Sequence, residues 1–320
     1  MLCSVLAGRP AHALRETKCS AGVKGYEIFS PSKINVFLRI VGKRPDGFHE
    51  LASLFHVIDL GETLTFEDMV GGAEDALTCD DPGVPTDSSN LVLRAIDLYR
   101  KKTGHTKMYR AHIAKRVPFG GGLGGGSANA STTLFALNDM AGGGVSEADL
   151  LEWSAELGSD CPVFFSKGAA YVTGRGEFVE DVPSPFDPAT RLVLVKPPVG
   201  LSTPEIFRAF DLSKTSQADP KKLMSEIAAA GCATQEQCVN DLELPSFTKL
   251  PELEQLKEAL RTSGCFEASF MTGSGSTMVG MGGAGPLPPV VEEARAAGSF
   301  VTEARFITRK EGEWFKPAQR

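Results

Sequence analysis

The chain has 320 residues, 42% of them hydrophobic and 23% charged, with a formal net charge of −7. That length exceeds one ordinary domain and predicts two packed domains with a sizeable core. The acidic balance argues against a nucleic-acid-binding surface, which needs an excess of Lys and Arg, and no apolar run is long enough to cross a bilayer. A single nucleotide remains possible, because clustered backbone N–H groups can hold phosphate inside an acidic protein. Seven cysteines are scattered without a C-x-x-C pair, which predicts free thiols and no metal site.

Residues 1–25 carry Arg9, Arg15, Lys18 and Lys24 against one acid, Glu16. Such a basic leader is expected to be a transit peptide, or else an ordinary disordered terminus, and is set apart from fold reasoning. Ile34, Val36, Leu38 and Ile40 then alternate with Lys33, Asn35, Phe37 and Arg39. The period of two predicts a strand with one buried face, so Lys33 and Asn35 share the opposite side. Arg44-Pro-Asp-Gly47 predicts a turn, 51–60 a second strand and 64–68 a further strand edge. Residues 71–89 read as a surface loop, and 90–102 as an amphipathic helix.

A short strand is expected over 111–117, a glycine loop over 118–126 and a helix over 127–140. Ser146 with Asp149 fits a capping box opening another helix. A hairpin is expected around Gly174-Arg175-Gly176. Prolines at 183, 185 and 188 mark a domain boundary, giving domains 26–185 and 186–320. The second contains a strand at 192–195, helices at 220–230 and 250–263, a strand–glycine-loop unit at 268–283, a helix at 289–297 and a strand at 301–307. Strands and helices mixed without a βαβ rhythm predict an α+β fold.

Three segments carry chemistry. Pro118-Phe-Gly-Gly-Gly-Leu-Gly-Gly-Gly-Ser-Ala-Asn-Ala130 has six glycines in the seven positions 120–126 and runs into a helix. The chain there can pass close to a ligand and point N–H groups at phosphate. It lacks the Lys-Ser/Thr of a P-loop, and its match to a dinucleotide fingerprint has no βαβ setting. A flexible linker is the bland alternative. Asp160, in Gly158-Ser-Asp-Cys-Pro162, either caps a short helix or faces a cleft. Met271-Thr-Gly-Ser-Gly-Ser276 is a second glycine loop or a plain hairpin turn. His49 and His56 lack the third ligand of a metal site; His56 is expected to be partly buried.

Taken together, a Lys-bearing first strand, a central glycine loop and a C-terminal glycine loop resemble the GHMP kinase superfamily. Ser30-Pro-Ser-Lys-Ile-Asn-Val-Phe-Leu38, Arg44-Pro-Asp-Gly-Phe-His49 and Leu54-Phe-His56 are similar to its branch of 4-diphosphocytidyl-2-C-methyl-D-erythritol kinases. The resemblance spans about residues 26–307. It implies a ribosomal-protein-like N-terminal ATP-binding domain and a ferredoxin-like C-terminal domain. It also implies ATP with Mg²⁺ as the phosphoryl source, with the 2-hydroxyl of that diphosphocytidyl sugar alcohol as acceptor on the methylerythritol phosphate route to isoprenoids. Asp160 and Lys33 match the catalytic positions.

Pro118, Phe119, Gly120, Gly121, Gly122, Leu123, Gly124, Gly125, Gly126, Ser127 and Ala128 match the ATP phosphate loop, and Asn90 the adenine pocket. Asn35, Phe48, His49, Thr203 and Phe207 match the acceptor site, and Gly273, Ser274 and Gly275 form the C-terminal loop. No metal ligand is assigned. Two departures are Phe48, where many bacterial members have Tyr, and Ala128, where they have Ser. The leader and Phe48 together predict a plastid. The alternatives are another GHMP kinase, acting on homoserine, mevalonate or a sugar, or a non-catalytic RNA-binding protein of related fold.

Overall fold

The computed structural model describes residues 17–18 and 24–318, so most of the expected leader lies outside the described residues. A short strand β1 (Thr17–Lys18) pairs with the start of β2 (Lys24–Lys43). β2 turns into β3 (His49–Asp68), a long antiparallel partner. The Arg44–Gly47 turn closes as expected, with Gly47 N–H donating to Arg44 at 3.1 Å. The 64–68 segment is no separate edge. It continues β3 past a register shift at Pro31/Ser32, where a bulge tolerates a proline that donates no ladder hydrogen bond.

The length of β3 lets it serve two partners. Leu51–His56 pairs with β6 (Ala169–Gly174), and Thr63–Asp68 pairs with β5 (Tyr109–Ala114). β7 (Phe178–Val182) extends the β6 side as the predicted hairpin. β4 (Ala76–Cys79) lies parallel to β5, inside the stretch expected to be surface loop. Four residues with one flanking partner are too short to show a period.

On this sheet, α1 (Leu91–Thr103) packs against α2 (Gly125–Met140). α3 (Glu147–Ser154) opens with the predicted cap, Asp149 N–H donating to Ser146 Oγ at 3.1 Å. The second sheet is wholly antiparallel, in the order β11 (Phe300–Arg305), β8 (Arg191–Lys196), β10 (Met278–Met281), β9 (Ala268–Met271). Around it run α4 (Thr203–Ala209), α5 (Pro220–Ala230), α6 (Glu243–Lys249), α7 (Glu252–Thr262) and α8 (Pro289–Ala296). α4 and α6 span seven residues each, too few for an amphipathic stripe to register in the sequence.

β2 departs from expectation in a way that matters for the site. Ile34, Val36, Leu38 and Ile40 are buried, but so are Lys33, Asn35, Phe37 and Arg39. Side chains on both faces of the strand are buried, and connections of the second sheet also close its free edge. Asn35 N–H donates to Thr272 Oγ1 at 2.9 Å, Leu38 N–H to Val239 at 2.7 Å, and Arg39 ion-pairs with Asp241 at 2.9 Å. His56 is fully rather than partly buried. Its ring is satisfied by Val57 O and Ser184 Oγ, each at 2.8 Å, with Phe306 against it at 4.5 Å.

Candidate active site

A cleft of about 810 Å³ opens where the two sheets meet. Its floor is β2, its ceiling the loop entering α2, and its side walls the turns β2–β3, β6–β7 and β9–β10 together with α4. The ceiling loop is anchored by a buried Leu123, whose carbonyl accepts from Lys33 N–H at 3.0 Å. A fixed central leucine excludes the linker reading. Gly122 shows why glycine is needed: its φ is +74°, and a Cβ there would stand 2.3 Å from the Thr272 carbonyl oxygen. The two glycine loops therefore touch backbone to backbone. The second loop is both of the things expected of it, a hairpin connection between β9 and β10 and a wall of the cleft.

Lys33 reaches along the floor from β2. It is 3% exposed, and its Nζ lies 2.8 Å from Asn35 Oδ1, 3.3 Å from Asp160 Oδ2 and 4.8 Å from the centre of the Phe55 ring. Asn35 is itself oriented by a 2.9 Å donation to Ser53 Oγ, which donates onward to the Phe37 carbonyl. Asp160 does not cap the following 3-10 turn, Pro162–Phe165; the residue at that cap is Cys161. The carboxylate is instead 38% exposed at the cleft, where it can accept a proton from a bound hydroxyl.

At the far end Phe48 stands 53% exposed, with the Arg175 guanidinium 5.1 Å from its ring centre. His49 packs between Phe207 at 5.6 Å and Phe210 at 5.4 Å. Burial, and then nearby Lys43, lower the pKa of its imidazole below the usual histidine range. Thr203 Oγ1 and Ser274 Oγ are 2.8 Å apart, tying α4 to the second glycine loop.

The lining carries Lys33, Lys43, Lys115, Arg175 and Arg208 against a single carboxylate, Asp160. A protein of net charge −7 thus concentrates positive charge in this one cleft, which suits phosphate-bearing ligands. Lys115 is held by the buried Glu62, whose other oxygen accepts from Asn129 Nδ2 at 2.6 Å. A separate hollow of about 450 Å³, lined by Phe186, Phe306 and Trp314 among others, shares no residue with the cleft.

Residues 90–168 match the family model for the GHMP kinase N-terminal domain. The chain is 51% identical over 299 residues to the chloroplastic 4-diphosphocytidyl-2-C-methyl-D-erythritol kinase of Oryza sativa subsp. japonica, covering 93% of this chain and 74% of the rice protein. It is 48% identical to the Arabidopsis thaliana protein of the same name, covering 91% of this chain and 76% of that one. The chain belongs to the 4-diphosphocytidyl-2-C-methyl-D-erythritol kinase family. A crystal structure of a 4-(cytidine 5'-diphospho)-2C-methyl-D-erythritol kinase superposes with a TM-score of 0.69 at 29% identity, covering 87% of this chain and 99% of that one. A homoserine kinase from Cytophaga hutchinsonii reaches the same TM-score at 16% identity, covering 92% and 98%, and shares the GHMP fold.

As a member of this kinase family the chain uses ATP. Of the residues singled out in the sequence, Lys33, Asn35, Phe48, His49, Pro118 through Ser127, Asp160, Thr203, Phe207, Gly273 and Ser274 line the one cleft. Three do not. Asn90 spends its carboxamide on capping α1, accepting from Val92 N–H at 2.9 Å, while its neighbour Leu91 lines the cleft. Ala128 is buried in the first turn of α2, and Gly275 lies behind Ser274 in the β9–β10 loop. Sequence reasoning missed Lys43, Lys115, Arg175, Arg208 and Phe210. Isolated cations carry no periodic signal, although Arg175 sits at the centre of the hairpin turn that was read.

Proposed function

We propose that this chain transfers the γ-phosphoryl group of ATP to the 2-hydroxyl of 4-diphosphocytidyl-2-C-methyl-D-erythritol, on the methylerythritol phosphate route to isoprenoids. The observation that carries the reading is the Lys33–Asp160 pair, 3.3 Å apart beside the glycine loop, in a chain of this family. Phosphoryl transfer needs alignment and charge stabilisation more than covalent participation, and the cleft offers both. The Gly120–Ser127 amides, at the start of α2, grip the phosphates of the nucleotide. Asp160 accepts the proton of the attacking hydroxyl, while Lys33 offsets charge on the transferring group. Asn35 fixes the Lys33 ammonium.

Phe48 and Phe207 supply aromatic faces for a cytosine ring, His49 and Thr203 hydrogen-bond to the same ligand, and the surrounding cations suit its diphosphate. The Ser274 hydroxyl supports Thr203.

Among the described residues no group of three or more His, Cys, Asp and Glu could cage a metal ion. Mg²⁺ fits nonetheless, because it keeps several waters and is held largely by substrate phosphates instead of an all-protein cage, and the cleft is lined for a phosphate-bearing ligand. When bound with the nucleotide, the ion supplies neutralisation of phosphate charge. The chloroplastic naming of the plant relatives, with the basic residues of 1–25, supports a plastid as the site of action. Incubation with ATP, Mg²⁺ and the diphosphocytidyl acceptor should yield a new phosphomonoester signal by phosphorus NMR. Transfer to homoserine or mevalonate but not to this acceptor would reassign the substrate.

A further inference from the structure

Behind the first glycine loop lies a lysine that none of the roles above uses. Lys196 is the last residue of β8 and is 6% exposed. Its Nζ donates to the carbonyl of Pro197 at 3.0 Å, and among the described residues no carboxylate pairs with it. Burial alone moves the ammonium below the ordinary lysine range. A Cβ built on Gly121 would stand 3.2 Å from Lys196 Cδ and 2.7 Å from Thr277 Oγ1. Thr277 is fully buried, and among the described residues its hydroxyl has no hydrogen-bond partner.

The stem of a lysine short of an anion and a hydroxyl short of a partner thus meet at one residue of the phosphate loop. An unpaired buried charge is costly. The other β8 residues facing the core are Leu192, Val193, Leu194 and Val195, so an apolar side chain would fill the position of Lys196 without that cost. The cost falls when an anion lies on the far side of Gly121, whose own position lines the cleft.

We propose that Lys196 is a positioning residue for the nucleotide phosphates. It braces the Gly121 peptide from behind and sets a positive charge beneath the loop, so that the second sheet helps the first to grip the phosphoryl donor. This inference rests on the kinase reading above.

The test is calorimetric titration of ADP and of adenosine into the wild type, Lys196→Met and Lys196→Arg. Met keeps the volume and removes the charge; Arg keeps the charge. Loss of one charge-assisted contact should weaken ADP binding to Lys196→Met roughly 10- to 100-fold. Adenosine binding should be unchanged, Lys196→Arg should recover most of the ADP affinity, and KM for ATP should rise more than kcat falls. Equal weakening of ADP and adenosine, or a Met variant that binds ADP as the wild type does, overturns the proposal. Should Lys196→Met fail to fold, Lys196→Gln carries the same comparison. A wild type that ignores ADP altogether overturns the kinase reading itself, a result distinct from the others.

Discussion

Lys33 and Asp160 come from opposite sides of the glycine loop in sequence, yet their charged atoms stand 3.3 Å apart. The ammonium is fixed by Asn35 at 2.8 Å and by its own near-complete burial, whereas the carboxylate keeps an open side toward the cleft. That asymmetry separates a fixed electrostatic group from an accessible proton acceptor. Replacing Asp160 by Asn preserves shape and removes the base, and kcat should fall about 10²- to 10⁴-fold. Steady-state kinetics with the diphosphocytidyl acceptor measures it, and near-wild-type turnover would remove Asp160 from the chemistry.

Phe48 lends itself to a separation of affinity from rate. Its ring is half exposed, with the Arg175 guanidinium against it. Phe48→Ala should raise the acceptor KM by the equivalent of about 1–3 kcal/mol, the worth of stacking on a base, with little change in kcat. Phe48→Tyr should stay close to wild type. Titration with CDP offers the same comparison without turnover.

Two glycines of one loop should respond to alanine with opposite signs. Gly122→Ala forces a Cβ within 2.3 Å of a backbone oxygen at φ +74°, so the loops must part. A loss of stability above about 1 kcal/mol is expected, together with weaker ATP binding. Gly126 lies inside α2 and has only Leu91 Cδ1 near, at 3.8 Å. Alanine there should stabilise, by less than the roughly 1 kcal/mol of a helix interior because the position is in the first turn. Chemical denaturation of both variants decides the contrast.

His56 gives a pH dependence with a defined sign. Complete burial holds its pKa down at about 4, with the Val57 carbonyl opposing that shift, against about 6.5 in the unfolded chain. Between those values the unfolded state binds the proton and the folded state does not. The contribution of His56 to stability is therefore full above pH 6.5 and is lost as pH falls toward 4. Urea unfolding at pH 7.5 and pH 5 should show a larger drop for the wild type than for His56→Gln. Equal drops would mean that another group governs this range.

How much of this was legible in the sequence varied with the physics of each element. The 90–102 helix, the N-cap at Ser146 and the Arg44–Gly47 turn declare themselves through local chemistry, and the structure has all three. For β2 the alternation in the sequence shows one buried face, because it reports local pattern alone. The strand's free edge is closed by Thr272 and Val239, and its Arg39 is paired by Asp241, all far along the chain. Lys33 and Asp160 were singled out through family resemblance, since no spacing rule brings such distant residues together. Lys115 and Arg208 were invisible for the same reason: a surface lysine and a cleft lysine look alike until the fold gathers them.

The contact of Gly122 with the Thr272 carbonyl has a last consequence. The ceiling of the cleft and its wall meet along a seam where two backbone segments lie directly against each other. At Gly122 and Gly273 a methyl group on one loop presses on the backbone of the other. Sequence change at these glycines is therefore a joint event, and a drug wedged between the loops would disable both halves of the reaction at one stroke.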